Sequence, residues 1–190
     1  TAYTFRVSAT NAVGTGATST ASSAVTPATV PGAPTSVVGT AGISEVSLTW
    51  TAPVGNGGSA VTDYVVEFND GVSWATFADG VSTSASATVT GLTNGTAYTF
   101  RVSATNAVGT GATSTASSAV TPATVPGAPT SVVGTAGISE VSLTWTAPVG
   151  NGGSAVTDYV VESSPDGTTW TIFADGVSTS ASATVTGLTN

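Results

Sequence analysis

The chain has 190 residues, ten carboxylates and two cations, Arg6 and Arg101, and it lacks Lys, His and Cys, for a formal net charge of −8. No basic groove exists to neutralise phosphates, which excludes nucleic acid as a partner; a polybasic anchor and an apolar run near the ~18 residues of a spanning helix are missing too, which argues against membrane insertion. Without Cys there is neither a disulfide framework nor a thiolate metal site, and 40% hydrophobic with 6% charged residues excludes a charge-swollen disordered chain.

Val, Ala, Thr, Ser and Gly dominate in short alternating runs, the palette of an all-β protein. The strongest organising signal is repetition. Thr1–Glu67 recurs unchanged as Thr96–Glu162, and Val81–Asn94 recurs as Val177–Asn190. One residue is added between, where Phe68–Phe77 becomes Ser163–Phe173. The proline clusters Val30-Pro31-Gly32-Ala33-Pro34 and Val125-Pro126-Gly127-Ala128-Pro129 lack ladder donors and read as linkers. Three segments follow: residues 1–29 as the tail of one module, 30–124 as a complete module, and 125–190 as the head of another.

Within the complete module, Val46, Leu48 and Trp50 alternate with Glu45, Ser47 and Thr49, and Tyr64, Val66 and Phe68 alternate with Asp63, Val65 and Glu67. The loops Gly55-Asn56-Gly57-Gly58 and Asn69-Asp70-Gly71 supply residues tolerant of positive φ. From Gly91 to Ala104 an Asn94-Gly95 turn leads into a run in which Tyr98, Phe100, Val102 and Ala104 point one way, an inward-facing strand entered through a corner.

Leu92, Asn94, Gly95 and Tyr98 resemble the tyrosine corner of fibronectin type III domains. The resemblance implies tandem immunoglobulin-like β-sandwiches, cut out of phase so that both ends are partial domains. It implies a Tyr98 hydroxyl bonded back to upstream backbone. It places strand A near 35–40, B near 45–51, C near 62–68, C′ near 73–77, E near 84–90, F near 96–104 and G near 113–121. Glu67 and Arg101 then face outward on neighbouring strands as an expected ion pair, and Glu162 with Arg6 is the matching pair, available only if head and tail modules meet. Residues 1–28 are expected to complete the sandwich begun by 126–190 of a neighbouring copy, or of a preceding stretch of one continuous polypeptide.

Catalytic chemistry finds no support. Acid–base work would fall to carboxylates and Tyr alone, and Asp63, Asp70 and Asp79 sit in or beside glycine turns, where Asp belongs for its own hydrogen bonds. No base stands ready to activate the many Ser and Thr hydroxyls, which read as strand and loop filler. Asn69-Asp70-Gly71 and Pro165-Asp166-Gly167 lack the clustered oxygens of a calcium loop, so no metal or cofactor is expected. Asn94-Gly95-Thr96 matches a glycosylation sequon, but the turn already accounts for its asparagine. Trp50 and Trp145 lie on the inward face of strand B and read as core. Trp74 and Trp170 lie on the segment that varies between repeats, where they could meet carbohydrate or a neighbouring module, or pack on their own sheet beside an Arg.

Near-identical tandem modules of low charge suggest a non-catalytic structural repeat of an extracellular bacterial fibre or surface protein, with like modules as partners. The alternatives are a spacer array in a secreted polysaccharide-degrading enzyme and a cell-surface adhesin, the last without an Arg-Gly-Asp sequence to support it.

Overall fold

The computed structural model describes residues 1–190, and all of its regular structure is β. By contacts the chain divides into two compact units. Thr1–Thr40, Ser47–Val89 and Tyr98–Ala119 form the first; Ala41–Val46, Thr90–Ala97 and Val120–Asn190 form the second.

The first unit holds nearly all of a sandwich of two sheets. One sheet has the order β1-β2-β5, with β1 Thr35–Ala41, β2 Glu45–Thr51 and β5 Ser86–Thr90. The other has the order β4-β3-β6-β7, with β3 Val61–Asn69, β4 Trp74–Phe77, β6 Thr99–Asn106 and β7 Thr110–Thr113. The alternation in β2 does what its period of two requires: Val46, Leu48 and Trp50 are buried while Ser47, Thr49 and Thr51 face water. Tyr64 and Val66 of β3 and Phe100, Val102 and Ala104 of β6 close the core from the opposite sheet. The Trp50 and Tyr64 rings meet edge to face across the core at 5.2 Å, a favoured aromatic geometry. β3 and β6 pair antiparallel over their length, with Val66 opposite Val102 and Glu67 opposite Arg101.

The second unit carries a three-stranded sheet, β8 Thr130–Ala136, β9 Glu140–Thr146 and β12 Ser182–Thr186 in the order β12-β9-β8. A two-stranded ribbon, β10 Val161–Ser163 with β11 Thr171–Phe173, stands where the complete module has β3 and β4. β8 is exposed along its whole length.

The expected strand G differs from the observed one. β7 ends at Thr113, where 113–121 was the expected strand. Beyond it the chain still follows β6 but advances three residues for every two, so no regular ladder can form. Ser114 N–H donates to Val102 O and Ser117 N–H to Phe100 O, both at 2.8 Å. The return bonds run from Val102 N–H and Phe100 N–H to the Ser114 and Ser117 hydroxyl oxygens at 3.0 Å, and each hydroxyl donates in turn to the next carbonyl. These serines, read from the sequence as filler, substitute for backbone acceptors that the stretched register would otherwise withhold. Ser19 and Ser22 do the same for Val7 and Phe5 in residues 1–28.

Candidate functional site

The outer face of β4-β3-β6 carries the most chemistry. Because Glu67 and Arg101 are direct cross-strand partners, the guanidinium reaches the carboxylate twice, Nε to Oε2 at 2.8 Å and Nη2 to Oε1 at 3.1 Å. Hydrogen bonding to Glu67 raises the Arg101 pKa above its ordinary value. The Trp74 ring lies under the same guanidinium, 4.2 Å from Cζ to the ring centroid, so Trp74 packs on its own sheet beside an Arg. Trp170, at the matching position of the second unit, is 58% exposed.

The corner residues are placed by the backbone. Gly95 has φ of +86°, a conformation that disfavours a side chain, and its N–H donates to Pro122 O at 2.8 Å. Asn94 has a task beyond the turn that accounted for it in the sequence: its Oδ1 accepts from Ser44 N–H at 2.8 Å and secures the β1–β2 loop, where Ser44 itself has φ of +56°. Asn190 holds Ser139 in the same way at 3.0 Å. Leu92 and Tyr98 are buried, and the Tyr98 ring packs edge-on against Phe68. Trp50 is buried, whereas Trp145 is partly exposed in the open second unit. The indole Nε1 of each finds no acceptor among protein atoms.

Sequence reasoning missed Asn106, which is buried and fully bonded. Its Nδ2 donates to Thr29 O at 2.7 Å and Asn56 O at 2.9 Å, while its Oδ1 accepts from Val108 N–H and Gly109 N–H. Nothing in its local sequence separates it from a turn asparagine, because two of its partners lie 77 and 50 residues away. It anchors a linker. Thr29 N–H donates to Gly57 O and Gly32 N–H to Gly55 O, both at 2.8 Å; Thr124 to Gly152 and Gly127 to Gly150 repeat the pattern in the second unit. A Cβ at Gly57 would collide with the Thr29 carbonyl, so the loop glycine permits the close approach.

The turn aspartates are engaged locally. Asp63 accepts from Ser82 N–H, and Asp70 from Val72 N–H. Burial raises the Asp79 pKa, as expected where a carboxylate loses solvent. Asp166 accepts from Thr169 and Thr168 N–H groups and from Ser164 and Thr169 hydroxyls, and those bonds hold it far below the usual carboxylate range. No three His, Cys, Asp or Glu side chains gather into a metal-binding group, and no helix is long and apolar enough to cross a membrane.

Residues 32–120 match the fibronectin type III domain model. Over 130 residues the chain is 40% identical to Chitinase A1 of Niallia circulans, a match covering 63% of this chain and 17% of that protein. Among solved structures, titin domains align at 34% identity with a TM-score of 0.47, covering 50% of this chain and 32% of theirs. A titin module from human cardiac muscle aligns at 34% identity with a TM-score of 0.43, covering 50% and 92%.

Proposed function

Residues 32–120 belong to the fibronectin type III family, and on that premise we propose that the chain is a non-catalytic spacer array of an extracellular bacterial polysaccharide-degrading protein. The observation that carries the reading is the 40% identity to a segment of Chitinase A1, a protein of which this chain spans 17% of the length. The chemistry of the module agrees with it. Asp63, Asp70 and Asp166 are taken up by local hydrogen bonds in loops and Glu67 by Arg101, and the hydroxyls that reach a carboxylate, those of Ser164 and Thr169 at Asp166, lie in an exposed turn. Each linker is hydrogen-bonded to a loop of the module that follows it, which fits a spacer more than a free Gly/Ser tether.

The fibre reading, first from the sequence, rests on repetition and low charge alone; the chitinase relative favours the spacer. The test has two parts. The purified 190-residue polypeptide should release no sugar from chitin. Set between a catalytic domain and a carbohydrate-binding domain, it should support faster turnover of insoluble chitin than a flexible Gly/Ser linker of equal length, with soluble oligosaccharide turnover unchanged. Sugar release by the isolated polypeptide, or equal performance of the flexible linker, would overturn the proposal.

A further inference from the structure

Three asparagines of the chain precede a glycine, in Asn56-Gly57, Asn94-Gly95 and Asn151-Gly152. In such a pair the main chain can attack its own side chain, because a glycine without a Cβ leaves its nitrogen open to the asparagine Cγ. After Asn11, Asn69 and Asn106 come Ala12, Asp70 and Ala107, whose Cβ hinders that approach.

The fold treats the three pairs differently. Asn94 is half-buried, its Oδ1 is held by Ser44 N–H at 2.8 Å, and the Gly95 N–H that would have to give up its proton donates to Pro122 O at 2.8 Å. Asn56 and Asn151 are exposed, and the N–H groups of Gly57 and Gly152 donate to no protein atom. Each Oδ1 instead accepts from the second glycine, Gly58 N–H at 2.9 Å and Gly153 N–H at 3.0 Å. That Asx turn folds the side-chain carbonyl back over the unbonded nitrogen, and the hydrogen bond draws electron density away from Cγ.

We propose that Asn56 and Asn151 are sites of spontaneous covalent modification that releases the linkers, and that the fold protects Asn94 from it. This goes beyond the spacer reading and does not depend on it. The Gly57 nitrogen loses its proton to hydroxide and bonds to the Asn56 Cγ; the Cγ–Nδ2 bond breaks, the amide leaves as ammonia with a proton from water, and a cyclic imide remains. Water then opens the imide at Cγ to give aspartate, or at the main-chain carbonyl to give isoaspartate, with no change of oxidation state. Isoaspartate routes the main chain through Cβ and Cγ, which lengthens it between the Gly55 and Gly57 carbonyls. Those carbonyls hold the linker, through Gly32 N–H and Thr29 N–H at 2.8 Å. The Asn56 carbonyl, which accepts from Asn106 Nδ2 at 2.9 Å, becomes part of a free carboxylate at the same time. All three acceptors therefore shift together. At Asn151 the affected carbonyls are those of Gly150 and Gly152, which hold Gly127 N–H and Thr124 N–H.

The experiment is peptide mapping by mass spectrometry of the 190-residue polypeptide aged in mildly alkaline buffer, both folded and in urea, with aspartyl and isoaspartyl products separated. In the folded protein Asn56 and Asn151 should convert while Asn94 stays intact; in urea all three should convert alike. Hydrogen exchange on the aged folded protein should show the Thr29 and Gly32 amides losing protection. Asn56→Ser keeps a side-chain acceptor for Gly58 N–H but cannot form the imide, so its Thr29 and Gly32 amides should stay protected through the same ageing. Asn56 and Asn151 intact in the aged folded protein, Asn94 converting alongside them, or Asn94 resisting in urea as well would each overturn the proposal. Conversion of Asn56 that leaves Thr29 exchange unchanged overturns the release of the linker.

Discussion

The heptapeptide Val61–Glu67 and its twin Val156–Glu162 have one sequence and two structures. The first is strand throughout, with Tyr64 and Val66 buried; in the second, β-structure begins only at Val161, and Val160 is 71% exposed. Intrinsic propensity is identical, so the difference comes from the neighbour. β3 has β6 beside it for its whole length, and residues 156–160 have nothing in that place. By contrast, β9 keeps the full length of its twin β2, because both of its partners, β8 and β12, lie within the same segment. The same rule governs burial: Val37 is 9% exposed and its twin Val132 63%.

The sharpest way to break this comparison is to delete the same side chain from both copies of the hairpin. Phe100→Ala should destabilise the complete module by about 3–5 kcal/mol, the cost of emptying a fully buried aromatic site. Phe5→Ala, at a dilution where chains are single, should stay within about 0.5 kcal/mol, as for a surface change. Urea denaturation followed by tryptophan fluorescence reads both. Equal effects would mean that the neighbour does not decide the burial of this strand.

Asn106→Ala comes next. It leaves the carbonyls of Thr29 and Asn56 and the Val108 N–H without this side-chain partner, while Gly109 N–H keeps the Asn106 carbonyl, at a cost of about 1–3 kcal/mol. Its twin Asn11 caps only Val13 and Gly14 in an exposed turn, so Asn11→Ala should cost about 0.5 kcal/mol or less. Hydrogen exchange gives a second readout, because Asn106→Ala should also expose the Thr29 amide that bonds to Gly57. A smaller loss, on the order of 1 kcal/mol, is expected for Tyr98→Phe, which keeps the ring against Phe68 and removes the hydroxyl. No loss would discredit the tyrosine-corner assignment.

Most of the sandwich was legible because it rests on period-two alternation and glycine turns, both local signals. β2 was read to the residue, and β1 and β3 to within a residue at each end. Strand F was read as 96–104 and observed as 99–106, because the Gly95 corner consumes more chain before pairing begins. Strand G was misread because its pairing runs through Ser114 and Ser117 hydroxyls, and a hydroxyl that replaces a ladder acceptor leaves no alternation to find. Asn106, and the bond of Asn94 to Ser44, escaped for a related reason: asparagine in a glycine-rich loop signals a turn, and the long-range partners that give each its role depend on the fold.

The smallest expected effect tests the one segment where the repeats differ by chemistry rather than by neighbours. Asp70 caps a single N–H, whereas Asp166 collects two N–H groups and two hydroxyls in the loop with the added residue. Those bonds favour the ionised carboxylate, so its folded pKa lies well below that of an ordinary aspartate. A depressed carboxylate contributes stability that is fully present above the unfolded value and is lost as pH falls through the folded one. Residues 164–169 should therefore keep their neutral-pH conformation as the solution is acidified past the ordinary carboxylate range, and loosen only in stronger acid. Asp166→Asn retains an acceptor oxygen but removes the charge, so the loop should lose this acid sensitivity and part of its order at neutral pH. An NMR titration of the Thr168 and Thr169 amides reads both effects. Amide shifts that follow an ordinary carboxylate titration would show that the four bonds do not hold the Asp166 proton off, and that the added residue merely lengthens the turn.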